Sequence, residues 1–248
     1  MPKFFVKSEQ IKDDKIVYIL GEDVKHIAKV LRCGLGDNLT VCNRDTGENY
    51  ACQIQEIHDT EIQCSILEKI DSHSEPSVYI HLLQGLPKAD KMEWIIEKGT
   101  EIGISEFTPV RMRYSVAKLE GKDALKKVER WNKIAEVAAK QSGRDKIPNI
   151  NPVINFAKVY EILQKCDIVL VAYEKELKNT LKHELEQLKK PNINIGVIVG
   201  PEGGIAEEEI EQLKKEGARI ITLGPRILRT ETAPITIASN IVYALDMK

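Results

Sequence analysis

The sequence predicts an α/β protein in which a small β-barrel precedes a larger domain built on a parallel sheet. Three observations support this. Over residues 1–67, short runs of β-forming residues recur between turn signals such as Gly36-Asp37 and Asp45-Thr46-Gly47. Beyond residue 78, strand-like and helical patterns alternate, the order of a βαβ protein. Two of the later strands, 168–172 and 193–199, are continuous apolar runs, as strands buried on both faces must be. The expected boundaries are 1–70 for the barrel, 71–77 for a linker and 78–248 for the α/β domain.

Within the barrel, residues 4–6, 16–20, 39–42, 50–57 and 61–67 read as strands. One helix interrupts them: Val24, Ile27, Val30 and Leu31 recur at helical spacing after Asp23, an acceptable N-cap. The polar stretch 68–77 contains Pro76 and supplies the linker. In the second domain, 78–83 is a strand. The helix predicted at 88–102 carries Met92, Ile95, Ile96, Gly99 and Ile102 on one face. A strand at 106–110 leads to a long helix at 123–142 with Val128, Trp131, Ala135 and Ala138 inward. The helix at 206–216 places Glu207, Glu208 and Glu209 in its first turn, where negative charge complements the helix dipole. A strand at 220–223 precedes the last helix, 233–246, with Ile237, Ile241 and Leu245 on its buried stripe.

Composition narrows the function classes. With 42% hydrophobic and 30% charged residues, the chain reads as an ordinary soluble protein. No run approaches the ~20 apolar residues of a membrane span, and MPKFFVKSEQ lacks a signal-peptide core. The expected location is the cytoplasm, with no membrane partner. The 5 cysteines form no C-x-x-C pair and the 5 histidines no ligand spacing, so reduced thiols and no metal are expected. The net charge of −2 hides a basic zone: residues 109–147 carry 11 basic against 5 acidic side chains. Such a local excess suits a polyanion-facing surface; the alternative is a solvated helix face.

Two connections carry chemistry. Residues 223–233 read L-G-P-R-I-L-R-T-E-T-A between a predicted strand and a predicted helix. Residues 200–204 read G-P-E-G-G in a similar position. Strand-to-helix connections place side chains and free N–H groups at the mouth of an α/β sheet, where ligands bind. Neither segment matches the G-x-G-x-x-G or G-x-x-x-x-G-K-[ST] phosphate loops, and Glu202 would repel a phosphate. A ligand that is neutral or cationic beside Glu202 fits better, and S-adenosylmethionine, with its adenosine and sulfonium, meets that description. A dinucleotide dehydrogenase is disfavoured by the missing glycine fingerprint.

Taken together, these segments resemble the SPOUT superfamily of RNA methyltransferases, in particular its RsmE branch, which methylates N3 of a uridine in 16S ribosomal RNA. The resemblance spans nearly the whole chain. Phe4-Phe5-Val6 and His26-Ile27 with Val30-Leu31-Arg32 resemble the family's PUA-like RNA-binding barrel. Lys88-x-x-Lys91, Lys98-x-x-Glu101-x-Gly103, Glu129-Arg130-Trp131 and Gln141-Ser142-Gly143-Arg144 resemble its central motifs. Residues 223–233 are the most specific match. Two positions depart from the pattern: Lys140 stands where Glu is expected, and Tyr114 where Arg is expected, with Arg111 or Arg113 available to supply that charge.

The resemblance implies a SPOUT-type trefoil-knotted catalytic domain, a homodimer, and small-subunit ribosomal RNA or the assembled 30S subunit as partner. It implies that three loops cradle S-adenosylmethionine. Carried onto this chain, the cofactor set is Ala172, Tyr173, Glu174, Gly200, Glu202, Gly203, Leu223, Gly224, Ile227, Leu228, Arg229, Glu231, Thr232 and Ala233. Leu223, Ile227 and Leu228 would sandwich adenine. Arg229 is assigned to catalysis, stabilising a uracil anion; its structural alternative is an ion pair with Glu231. Glu231 is placed either on the methionine ammonium or as a base, and Thr232 either as a helix cap or on the cofactor. Arg32, Lys88, Lys91, Arg111, Arg113 and Arg144 are the candidates for RNA contacts. The rival readings are a ribose 2′-O-methyltransferase, whose early Asn-x-x-x-Arg-type signature is missing here, and a non-catalytic ribosome-assembly factor.

Overall fold

A computed structural model describes residues 3–188 and 192–246. The outer residues of the expected 1–70 and 78–248 domains therefore lie outside the described residues at both termini. Two compact units emerge: residues 1–75 with 139–147, and residues 76–138 with 148–248.

The first unit is a six-stranded sheet of order β1–β4–β5–β6–β3–β2. Its strands are β1 (Lys3–Val6), β2 (Ile11–Lys12), β3 (Ile16–Leu20), β4 (Asn38–Asn43), β5 (Asn49–Ile57) and β6 (Glu61–Ile70). Pairing is antiparallel except between β1 and β4. Alternation along each strand turns one set of side chains inward: Phe4, Val6, Val17, Ile19, Leu39, Val41, Cys52, Ile54, Ile62 and Cys64 close one core. Register shifts in β5 at Ala51/Cys52 and Ile54/Glu56 bend the sheet around that core. Burial pushes the thiols of Cys52 and Cys64 up to about 12, and Cys42 to about 11, so these are inert packing groups.

Here the sequence reading needs correction in two places. The helix α1 (Glu22–Lys25) is capped by Gly21 at φ 77° instead of by Asp23. It passes into a π-type turn at His26–Val30, and the wider turn carries later side chains off the α-helical stripe. Val24 and Ile27 are buried, but Val30 is 66% exposed and Leu31 is exposed. Strand β6 also runs three residues beyond the expected end, to Ile70.

Residues 139–147 cluster with this unit through both apolar and polar contacts. Ala139 and Ile147 pack on Phe5 and Cys42. Lys3 (2.5 Å), Asn49 (2.8 Å) and Ser74 (2.7 Å) converge on the buried carboxylate of Asp145.

The second unit holds a wholly parallel sheet of order β10–β8–β7–β12–β11–β13, with β9 also paired to β8. Its strands are β7 (Tyr79–Gly85), β8 (Glu106–Arg111), β9 (Asn149–Ile150), β10 (Ile154–Asn155), β11 (Ile168–Ala172), β12 (Asn194–Val199) and β13 (Arg219–Ile221). The helices are α2 (Lys91–Ile102), α3 (Gly121–Ser142), α4 (Val159–Leu163), α5 (Leu181–Glu186), α6 (Glu207–Lys215) and α7 (Thr232–Leu245). Apolar residues from α4 and α6 join Leu83, Val110, Val169, Val171 and Ile198 in one core cluster. Helix α7 packs on α2 and α5 and also meets β7 and β12. Among the described residues, no helix is long and apolar enough to cross a membrane.

Candidate functional site

Outside the carboxyl ends of β11, β12 and β13 lies a cavity of about 560 Å³. Three strand-exit segments line it: 172–174 after β11, 200–204 after β12, and 222–230 after β13. This is where open parallel sheets bind ligands, and the volume lies within the usual ~300–1,000 Å³ range.

The segment 200–204 is shaped by close packing. Gly204, at φ 75°, closes a turn whose amide donates to the Pro201 carbonyl (2.9 Å). A Cβ on Gly85, at the end of β7, would lie 2.5 Å from Pro201 Cδ, so the loop rests directly on that backbone. A Cβ on Gly203 would lie 2.7 Å from Tyr114 Cβ. Gly204 stands equally close to Glu174, whose Oε1 would be 2.8 Å from an added Cβ. Only glycine permits this convergence of three segments.

Thr230 stitches the 222–230 segment to this loop. Its buried hydroxyl donates to the Gly200 carbonyl (2.7 Å) and accepts from Gln84 Nε2 (3.0 Å). Beyond that stitch the segment emerges into solvent: Ile227 is 85% exposed, and Arg226 and Arg229 are exposed. Among the described residues, the guanidinium of Arg229 has no ion-pair partner.

Both carboxylates and cations line the cavity. Lys91 bridges Glu202 (3.0 Å) and Glu231 (3.1 Å), and its pKa is raised by those two partners. Burial pushes Glu202 up. Hydrogen bonds from its own amide, Lys91 and the Lys88 amide outweigh that and hold it below the usual carboxylate range. Oε2 of Glu231 is buried and meets Lys91 without an aligned hydrogen bond. Glu174 is exposed at the rim and, among the described residues, has no cation partner.

Twelve of the fourteen residues expected on the cofactor line this cavity: Ala172, Tyr173, Glu174, Gly200, Glu202, Gly203, Leu223, Gly224, Ile227, Leu228, Arg229 and Ala233. Glu231 and Thr232 do not. Glu231 is the N-cap residue of α7, with its carboxylate turned to Lys91 instead of Arg229. Thr232 is the first residue of α7, is exposed, and caps nothing.

The expected RNA contacts are dispersed. Arg32 is exposed at φ 56°, and Lys88 is exposed. Arg113 is exposed and sits 3.5 Å from Glu208, while Arg111 pairs with Glu120. Lys91 belongs to the cavity's ion bridge. Arg144 is corrected outright as a surface contact: it is 3% exposed and paired with Glu75 at 2.7 Å. A buried guanidinium so held cannot meet a phosphate without losing that pair. The unexpected Lys140 pairs with Asp23 (2.9 Å), and Tyr114 serves as the wall against Gly203.

Sequence reasoning missed Gln84, Thr230, Tyr114 and the bridging role of Lys91. Gln84 had a signal: a polar residue directly after the apolar pair Leu82-Leu83. The others depend on partners far along the chain.

The fold and site define an α/β ligand-binding enzyme whose cavity, glycine-shaped and mixed in charge, suits a cationic nucleoside better than a phosphate. Comparison with known proteins narrows this. Residues 74–242 match the RNA methyltransferase domain model, and residues 19–67 match the RNA methyltransferase PUA domain model. The chain is 37% identical to ribosomal RNA small subunit methyltransferase E of Bacillus subtilis, covering 100% of this chain and 98% of that one. A solved ribosomal RNA small subunit methyltransferase E from Neisseria gonorrhoeae, bound to S-adenosyl methionine, superposes with a TM-score of 0.85 at 27% identity, covering 99% and 98%. A Legionella pneumophila methyltransferase structure with S-adenosylmethionine bound gives 0.86 at 26% identity, covering 98% of each chain. The chain belongs to the ribosomal RNA small subunit methyltransferase E family of RNA methyltransferases.

Proposed function

We propose that this protein methylates N3 of one uridine in 16S ribosomal RNA, using S-adenosylmethionine. The observation that carries the mechanism is the guanidinium of Arg229 at the rim of the cavity, without an ion-pair partner among the described residues, while its neighbour Glu231 is engaged by Lys91.

The cavity fits the cofactor on its own chemistry. The glycines of 200–204 let that loop pack tightly on Tyr114, Glu174 and Ile205, which fixes the wall of the cavity. Leu223, Ile227 and Leu228 offer apolar contact for adenine, and the uncommitted Glu174 attracts positive charge. When bound, S-adenosylmethionine supplies an electrophilic methyl group.

The rest falls to the chain's own residues. Uracil N3 carries a proton that must pass to solvent water before the nitrogen can take the methyl group, and it leaves only above neutral pH. Arg229, always charged, stabilises the anion by donating to a uracil carbonyl oxygen, a fixed positive charge where negative charge develops. Lys91 holds Glu202 and Glu231 so that neither carboxylate neutralises Arg229. Arg32, Lys88 and Arg113, all exposed, are suited to phosphate contacts that hold RNA in register, while the target base is unstacked to be read. The reading includes action in the cytoplasm on naked rRNA or the 30S subunit. It also includes a trefoil-knotted chain path and a homodimer; for the homodimer alone, the exposed apolar side chains Leu177 (84%), Ile227 (85%) and Tyr243 (71%) offer surface to cover.

The test is to incubate the protein with methyl-labelled S-adenosylmethionine and either 16S rRNA or 30S subunits, then digest to nucleosides. Label in N3-methyluridine is expected. Label in a 2′-O-methylated nucleoside, or none with either substrate, would reject this function.

A further inference from the structure

The face of the parallel sheet covered by α4 and α6 changes character along its length. Its carboxyl half carries Leu83, Val110 and Ile198 and is sealed by helical apolar residues. Its amino half carries Tyr79, His81, Glu106, Thr108 and Asn194, polar side chains in central strands where a parallel sheet normally buries aliphatics. Helix α4 is only 5 residues long and leaves this half open. The result is a second cavity of about 670 Å³, bounded by these residues, Asn151, and Lys158 and Lys165 flanking α4.

The floor is a closed hydrogen-bond network. Glu106 accepts from Tyr79 Oη (2.9 Å), Asn149 Nδ2 (3.3 Å) and Asn151 Nδ2 (2.7 Å). His81 Nδ1 lies 3.3 Å from Glu106 Oε2, and its Nε2 lies 2.7 Å from Thr108 Oγ1, which also accepts from Asn151 Nδ2 (2.7 Å). Burial holds His81 below the ordinary imidazole range despite the pull of Glu106. The imidazole is then neutral, with Nδ1–H on the carboxylate and Nε2 accepting from the Thr108 hydroxyl. One carboxylate is consumed entirely by donors.

The rim is different. Arg111 pairs with Glu120, yet its buried Nε has no partner. Lys158 and Lys165 are exposed and, among the described residues, have no ion-pair partner. Asn155 and Asn194 add amides, and Val153, Ile154 and Ile195 add apolar contact. This cavity thus presents positive charge at its rim over a floor whose carboxylate is already saturated by donors.

We infer that this cavity is a second ligand site, one that binds a small organic anion bearing a phosphate or carboxylate on a compact body. The anion sits between Lys158 and Lys165, and the body rests on the polar floor. A polynucleotide would reach the rim lysines alone, because His81 and Thr108 lie recessed, 7% and 0% exposed.

Calorimetry on the full chain tests this with uridine 5′-monophosphate, ribose 5-phosphate and citrate as probes. The expected result is saturable binding of at least one probe, weakened roughly tenfold or more in the Lys158→Glu/Lys165→Glu variant. S-adenosylmethionine, titrated in parallel, should bind wild type and variant alike, which separates this site from the cofactor cavity. No saturable binding of any probe, or equal affinity in the variant, would overturn the inference. A probe that competes with S-adenosylmethionine would do so too.

Discussion

Segments 200–204 and 222–230 line the same cavity, but the first is wedged against neighbouring chain and the second stands largely in solvent. Gly200, Gly203 and Gly204 each have a neighbour where a Cβ would go, whereas Gly224 has none within 4 Å. Thr230 is a buried tie between them. The difference suggests a division of labour: a rigid bed that defines the ligand's position, and an exposed strap whose side chains do the chemistry. Mutations should therefore damage the two segments in different ways.

The largest effect is expected from the bed. Gly203→Arg drives side-chain atoms into Tyr114 and the cavity, and S-adenosylmethionine binding should fall below calorimetric detection; unchanged affinity would remove this loop from the site. Arg229→Ala comes next, with turnover down roughly 100–1000-fold by analogy with loss of an oxyanion donor. Its stability should stay within about 0.5 kcal/mol of wild type, as for other exposed positions. Near-normal turnover would leave the strap without its proposed role. Gly85→Ala attacks the support beneath the bed, and chemical denaturation should register a loss of about 1–3 kcal/mol from overpacking against Pro201. The smallest change is expected for Ile227→Ala: no measurable loss of stability, and cofactor affinity weakened by at most about tenfold. A large stability loss there would show that the strap is structural after all.

How much of this was legible in the sequence depends on the span of each interaction. The long elements declared themselves: α2, α3, α6 and α7 have enough turns for an apolar stripe to repeat, and β11 and β12 are continuous apolar runs. The two-residue strands β2, β9 and β10 have no period to detect, and α4 and α5 are too short to show one. In the site, residues 223–233 were readable because their chemistry is contiguous. Lys91 was read as a phosphate contact because nothing nearby in sequence reveals that Glu202 and Glu231 converge on it. Arg144 was misjudged for the same reason, since Glu75 reaches it only after folding. His81 sits in a strand that reads as plain core, and its polar neighbours come from β8 and from Asn151.

The claim at the centre is that one strap arginine, poised over a rigid glycine bed, commits this enzyme to a single uracil nitrogen. Mass mapping of small-subunit ribosomal RNA from cells lacking the gene tests it most directly. One fragment should be lighter by a single base methyl on uridine, restored by the wild-type gene and not by the Arg229→Ala form. An unaltered map, or a methyl missing from a ribose, would contradict it.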